Sequence, residues 1–405
     1  MSRRKTEALF CVLTAAAMLF SACGNQPQKE GASETPAATL TAAAEPLTPS
    51  PAEPSPAEFR SETASECVAN MKIGWNLGNS LDCTGAWIGK SSPRNFETAW
   101  GNPVVTRELI HAVKESGFNA VRVPVTWLEK MDENGRVDEA WLARVREVVD
   151  YVLAEDMYCI VNVHHDTGGG DEAWLRADSE MYENGMSEKY VCLWEQIADY
   201  FKDYDQRLLF ESMNEILDRN SNWGGSDQDS YDTVNRLNQL FVDTVRSSGG
   251  NNAERNIIVL TYGASSANSQ VTGFAAPTDP EKEHLIAEVH IYDPSGFCGG
   301  TDTVWDSADE AVIDTIFERL NREIVTGQKL PMIIGEFGAQ DHTETDEYTA
   351  ERAKYAAYFV AAAKKYGITC FWWDDGGSMK IFDRLAAKPY CEPVIEALVL
   401  TAEGR

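Results

Sequence analysis

Positive charge is scarce in this chain. Its 405 residues carry 35 lysines and arginines against 64 aspartates and glutamates, a formal net charge of −29. Phosphate recognition needs clustered basic side chains, so nucleic acid and other polyanions are excluded as partners. A neutral polymer is compatible with such a surface. So is the plainer reading that acidity keeps an exported protein soluble. Cys-x-x-Cys pairs of the zinc-binding kind are missing too. The nine cysteines are Cys11, Cys23, Cys67, Cys83, Cys159, Cys192, Cys298, Cys370 and Cys391. Cys159 and Cys370 lie in apolar runs and read as buried thiols rather than bridge partners. No Gly-x-Gly-x-x-Gly turn follows the first apolar run of the main body, which argues against a dinucleotide-binding sheet. Only one long apolar segment occurs, Ala8 to Phe20, and it is short for a membrane span.

That segment follows Arg3, Arg4 and Lys5 and ends in Leu19-Phe20-Ser21-Ala22-Cys23, the layout of an export signal. Small residues before a cysteine resemble a bacterial lipobox, in which Cys23 becomes the lipidated N-terminus. Phe20 stands where leucine is usual. The alternative is an ordinary secretory signal cut near Ala22. Gly24 to Ser65 is rich in Pro, Ala, Glu, Thr and Ser, a composition that cannot bury a core. The expected organisation is a signal over 1–22, a disordered tether over 23–65 and a folded domain over 66–405. The expected location is the bacterial cell surface through a lipid anchor, or otherwise the secreted fraction.

After Glu66, short apolar runs alternate with helical patterns. The strand-like runs are Met71–Trp75, Ala120–Pro124, Tyr158–Val163, Leu208–Met213, Ile257–Thr261, Leu285–Ile291, Met332–Glu336 and Thr369–Trp373. Between them, Trp141, Leu142, Val145, Val148, Val149 and Val152 share one helical face, with Asp138 as the N-cap. Tyr190, Leu193, Trp194, Ile197 and Phe201 repeat the pattern. Tyr355, Tyr358, Phe359 and Ala362 do so again, before Gly367 stops the helix. Eight such alternations predict an α/β fold, a single (β/α)8 barrel with parallel strands buried on both faces.

Polar and aromatic residues collect after the strands. Asn76 and Asn79 follow the first, and Arg122, Pro124 and Trp127 the second. His164, His165 and Asp166 follow the third. Asn214 and Glu215 follow the fourth, His290 and Tyr292 the sixth, Glu336 the seventh, and Trp373, Asp374 and Asp375 the eighth. In a barrel these positions share one rim, where active sites sit. Two carboxylates on different strands, Glu215 and Glu336, are what glycosidic bond cleavage needs: one acid, and one nucleophile or base. Arg122 would keep a neighbouring carboxylate ionised. Asn214 can bond a sugar 2-hydroxyl, and Trp373 offers a flat face to a pyranose. Adjacent strand residues point to opposite faces, so His164 and His165 are not expected to grip one metal ion. Trp100, Trp127 and Trp141 read as core.

Eight segments, taken in order, resemble glycoside hydrolase family 5 in its endo-β-1,4-glucanase branch. They are Gly74-Trp75-Asn76-Leu77-Gly78-Asn79-Ser80-Leu81-Asp82, Ala99-Trp100-Gly101-Asn102-Pro103, Val121-Arg122-Val123-Pro124-Val125-Thr126-Trp127, Asn162-Val163-His164-His165, Met213-Asn214-Glu215, Glu288-Val289-His290-Ile291-Tyr292, Ile334-Gly335-Glu336-Phe337-Gly338 and Phe371-Trp372-Trp373-Asp374. The likeness runs from about Cys67 to the C-terminus. It implies a retaining hydrolase with Glu215 as acid/base and Glu336 as nucleophile, needing no cofactor and no metal. It places Arg122, His164, Asn214, His290, Tyr292 and Trp373 around the sugar at the cleavage point. Asn79, His165, Trp174 and Trp223 are implied as further substrate contacts. Two departures stand out: Ile216 replaces the proline usual after the acid/base, and Asp375 stands where asparagine is common. The implied substrates are cellulose-type glucans, xyloglucan or mixed-linkage glucan. The alternatives are a β-mannanase or xylanase on the same scaffold, or a catalytically silent surface lipoprotein that captures glycans.

Overall fold

The computed structural model describes residues 59–405, except 171, 226, 282, 342–344 and the side chain of 346. The export signal, Cys23 and nearly all of the expected tether lie outside the described residues. All eight strand-like runs form strands. They are β1 (Gly74–Leu77), β2 (Ala120–Val123), β3 (Tyr158–Asn162), β4 (Leu208–Glu211), β5 (Ile257–Ser265), β6 (Leu285–Ile291), β7 (Met332–Phe337) and β8 (Thr369–Asp374). They pair in parallel, in chain order, and close into a barrel. Helices connect them, so each strand is covered outside as well as inside, and every residue of β1, β2 and β4 is buried. Asp138 caps the helix Glu139–Ala154 as expected, its carboxylate accepting from the Trp141 N–H.

Folded structure begins earlier than the expected boundary at 66. Thr63 and Glu66 form a reciprocal capping box that starts a helix over Ala64–Asn70. The Ala64 N–H donates to the Glu283 carbonyl, and Asn256 donates to the Glu62 carbonyl. Met71 ends this helix, so β1 starts three residues later than the apolar run suggests. Ala64, Cys67, Val68 and Met71 pack against the lowest inward layer of the barrel, Ala120, Ile160, Leu209, Ile258, Ile286, Ile333 and Phe371. Gly74 completes that layer by being small: a Cβ there would lie 2.0 Å from the Phe371 ring. The seven cysteines within the domain are free thiols, Cys159 and Cys370 among the buried ones.

Side chains alternate along a strand, so the next inward layer lies two residues on. Counting from the layer below, it comprises Asn76, Arg122, Asn162, Glu211, Leu260, Glu288, Gly335 and Trp373. An apolar floor therefore supports a charged tier, and the reacting groups sit above that. Strand β7 breaks the alternation. Val289 pairs with Ile334 but His290 with Glu336, and on the other side Ile334 pairs with Cys370 but Phe337 with Trp372. Gly335 is the extra residue of a bulge, which turns Glu336 inward beside His290. Past β8, the hairpin of β9 (Phe382–Asp383) and β10 (Lys388–Pro389) supplies Arg384. Its guanidinium donates to Gly78 O at 2.7 Å, Ser80 Oγ at 3.0 Å and Asp374 Oδ1 at 3.0 Å, tying the loop after β1 to the end of β8.

Candidate active site

Arg122 is the hub of the charged tier. It is fully buried, and five hydrogen bonds account for its donors. Nε and Nη2 grip Glu211 at 2.6 and 2.7 Å in a bidentate pair. Nη1 donates to Asn76 Oδ1 at 3.0 Å and to Glu336 Oε1 at 2.7 Å. Nη2 also reaches Asn214 Oδ1 at 2.9 Å. That last bond fixes the Asn214 amide so that its NH2 remains available to donate. Asn76 in turn donates to Gly335 O at 2.8 Å, bracing the bulge. Asn162 donates to Glu211 Oε1 at 2.9 Å.

Glu336 also accepts from the Tyr292 hydroxyl at 2.8 Å, and His290 Nδ1 lies 3.5 Å from its Oε2. Burial would raise its pKa, but the His290 and Arg122 charges and the Tyr292 bond outweigh burial and hold this carboxyl below the ordinary range. Glu215 lies in the loop after β4, and its Oε1 is 2.9 Å from the same His290 Nδ1. One oxygen from each carboxylate lies within 4.8 Å of the other. His290 Nε2 faces Glu288 Oε1 at 3.1 Å. Burial disfavours the charged ring, yet Glu336, Glu215 and Glu288 together push its pKa up to about 10. Glu288 itself is pushed up to about 7, by burial and by the Glu211 charge.

His164 stacks parallel to Trp373, with ring centroids 5.9 Å apart. Burial and the charges of its neighbours hold its pKa well below the ordinary value, so it is neutral. Its Nδ1 faces Asn162 Nδ2 at 3.1 Å, an amide that can only donate, which leaves the proton on Nε2. His165 does not diverge from it: the two rings are 4.5 Å apart. Side chains need not alternate here, because β3 ends at Asn162 and both histidines lie beyond it. Two sets, Asp82–His164–His165 and Glu215–His290–Glu336, each bring three donor atoms within 4.8 Å. In the first, Asp82 accepts from the N–H groups of Asn79 and Ser80. In the second, both ring nitrogens of His290 face carboxylates and Glu336 is held by Arg122 and Tyr292. The Asp82 oxygens and the atoms of the second set already serve protein hydrogen bonds.

The outer residues divide. Asn79 sits in the turn after β1 at φ 55°, its carbonyl accepting from Asn102. Trp223 is exposed, in the loop after β4, with its indole beside Gly169. Trp174 is half-buried: its N–H donates to Asp166 Oδ1 at 2.6 Å and the Lys189 ammonium lies 4.0 Å from its ring centroid. Trp127 and Trp141 are core, but Trp100 is not. It is 38% exposed, in a turn after the short helix Pro93–Glu97, and its ring lies 5.3 Å from His165. Residue type says apolar, but a turn at the rim has no interior to offer it. Glu211 and Glu288 are functional residues without an expected role, although a charge inside a buried strand is itself a signal, and Glu288 shares a strand face with His290.

Comparison with known proteins bears on this geometry. The family model for cellulase (glycosyl hydrolase family 5) matches residues 81–378. Endoglucanase A of Clostridium longisporum is 36% identical over 378 residues, covering 89% of this chain and 70% of that protein. Endoglucanase A of Ruminococcus albus is 36% identical over 362 residues, 85% of this chain and 94% of the other. The crystal structure of a glycoside hydrolase family 5 enzyme from Prevotella bryantii superposes with a TM-score of 0.80 at 40% identity, covering 85% of this chain and all of that one. A mutant of that enzyme has been solved with a xyloglucan tetradecasaccharide.

Proposed function

This chain belongs to glycosyl hydrolase family 5, the cellulase family, and on that premise we propose how its bowl cleaves a β-1,4-linked glucan. The reaction class is retaining endo-hydrolysis of β-glucans, in common with its endoglucanase relatives. Glu336, kept ionised by Arg122, Tyr292 and His290, attacks the anomeric carbon. Glu215 gives its proton to the glycosidic oxygen as that bond breaks. Water then attacks the glycosyl–Glu336 ester, Glu215 takes the water's proton, and both carboxyls return to their starting states. Asn214, its amide oriented by Arg122, donates to the 2-hydroxyl, and Trp373 stacks on the ring. His164, stacked on Trp373, faces the same sugar, while His165, Asn79, Trp223 and Trp174 line the approach, and Trp100 joins them.

The observation that carries this reading is the closeness of the pair. One oxygen of each carboxylate lies within 4.8 Å of the other, and both face the same His290 Nδ1, which favours the close pair of a retaining enzyme, roughly 5–5.5 Å apart, over the roughly 6.5–9.5 Å that a water between them requires. The substrate range is read as soluble glucans, including xyloglucan and mixed-linkage glucan. Support comes from the Prevotella bryantii enzyme, solved with a xyloglucan oligosaccharide, and from a Ruminococcus champanellensis broad specificity endoglucanase solved with cellotriose. Cys23 is read as a lipid anchor, on the strength of Phe20-Ser21-Ala22-Cys23 alone.

The test is a product profile on carboxymethylcellulose, xyloglucan, mixed-linkage glucan, mannan and xylan, beside Glu336→Ala. Rapid viscosity loss on a glucan, abolished by the substitution, is the expected result. Cleavage of mannan or xylan alone would sink the glucan assignment. For the anchor, fatty-acid labelling lost in Cys23→Ala is expected; an unlabelled wild-type protein would make it a secreted enzyme.

A further inference from the structure

Glu288 is fully buried, and it touches neither solvent nor any atom that reacts in this scheme. Its Oε1 lies 3.1 Å from His290 Nε2 and 3.6 Å from Arg122 Nε, whose N–H is already committed to Glu211 at 2.6 Å. Its Oε2 has no hydrogen-bond partner among the described residues. A buried carboxylate held this poorly is costly, so a purely structural role accounts for it badly. The backbone nevertheless makes room for it. A Cβ on Gly335 would lie 1.6 Å from Glu288 Oε1, so the bulge that aims Glu336 also vacates the place this carboxyl fills.

We propose that Glu288 is a positioning residue for hydrolysis, which holds a proton on His290 Nε2 and so keeps the ring charged with its Nδ1–H facing both Glu215 and Glu336. The inference rests on reading those two carboxylates as the reacting pair. Before the first step the negative charge is on Glu336 and the proton on Glu215. In that step a bond forms from Glu336 to the anomeric carbon, the glycosidic bond breaks, and the Glu215 proton leaves with the glycosidic oxygen. The negative charge has then moved to Glu215, while Glu336 is a neutral ester. The pair carries one negative charge throughout, but on a different residue. His290 Nδ1, 2.9 Å from Glu215 Oε1 and 3.5 Å from Glu336 Oε2, can serve as counter-charge to either without moving far. A neutral ring protonated only on Nε2 would turn a lone pair toward both. The groups facing His290 and Glu288 are Arg122 from β2, His164 beyond β3, Glu211 and Glu215 from β4 and its loop, Tyr292 beyond β6 and Glu336 from β7. The high pKa of His290 agrees with the charged ring.

The experiment is nitrogen NMR of the histidine rings in the wild-type domain and in Glu288→Gln, a neutral replacement of the same shape, combined with pH profiles on a β-glucan. In the wild type, both His290 nitrogens carry protons at neutral pH. In Glu288→Gln the ring should lose its charge at a pH lower by about one to three units. The alkaline limb of kcat should fall with it, and kcat should drop about ten- to hundredfold at an unchanged KM. Aryl cellobiosides with leaving groups that need no protonation should be hydrolysed with a smaller loss in the first step, which a general loosening of the site would not produce. A wild-type His290 found neutral at neutral pH overturns the proposal even if the variant does not fold. So does identical titration in the two proteins, or a variant as active as wild type with an unmoved limb. The ring titration is read on the free enzyme, so it stands apart from any failure of the wild type to cleave glucan.

Discussion

Gly335 and Glu288 occupy one space: the carboxyl oxygen of Glu288 stands 1.6 Å from where a Cβ on Gly335 would be. The glycine is the bulged residue of β7, and its carbonyl accepts from Asn76. Its role is to leave room while the strand turns Glu336 inward. Gly335→Ala is therefore expected to displace Glu288, destabilise the domain by about 1–3 kcal/mol, and lower kcat. Urea unfolding checks the first. Adding Glu288→Ala should recover part of the lost stability, since the clash is gone, and fully additive losses would refute the shared space.

Tyr292 lends Glu336 one hydrogen bond and thereby favours its charged form. Tyr292→Phe removes that bond. Glu336 would then take up its proton at higher pH, so the acid limb of kcat/KM should move up. A bond to a charged group is worth about 1.5–3 kcal/mol, which corresponds to roughly one to two pH units. A limb that stays put, or moves down, would show that Tyr292 does not act on the nucleophile.

Arg122 spends its donors on four residues, one of them through a bidentate pair, in the fully buried tier. A lysine ammonium has three donors at one point and cannot reproduce the fork. Arg122→Lys should cost about 3 kcal/mol or more of stability, because Glu211 is left buried and poorly paired. It should also cost activity, because Asn214 and Glu336 lose their anchor. Chemical denaturation beside steady-state kinetics would separate the two effects. Near-wild-type stability would mean that the tier relaxes around the loss.

Trp100 is partly exposed at the rim, its ring beside His165. Trp100→Ala should leave folding intact and raise KM for glucan chains by about fivefold, the worth of roughly 1 kcal/mol of aromatic contact, with kcat little changed. An unchanged KM on every glucan would remove Trp100 from the binding surface.

Much of this was legible from residue order. The eight runs were visible because strands buried on both faces must be apolar, and their ends were marked by polar residues that such a core would otherwise reject. Glu215, Glu336, Arg122, Asn214, His290 and Tyr292 do converge, and the hydrogen bonds between them place them at one rim. Three features were not legible. Trp100 looked like core because its type is apolar, whereas its burial depends on a turn. His164 and His165 looked divergent because alternation was applied two and three residues past the end of β3. The helix Ala64–Asn70 was not foreseen, and the tether boundary at 65 cut off its first two residues, because its few apolar residues gain meaning only against the barrel floor.

Sequence alone determined the barrel and the pair of carboxylates that defines the chemistry. Those follow from local rules: the period of two along a strand, and the cost of burying charge without purpose. Only the closed barrel decided which charges meet. Glu288 reaches His290 because they share a strand face, but His290 meets Glu336 only because β7 gains a residue at Gly335 and the strands close around it. A register shift is a property of paired strands, and no single strand records it.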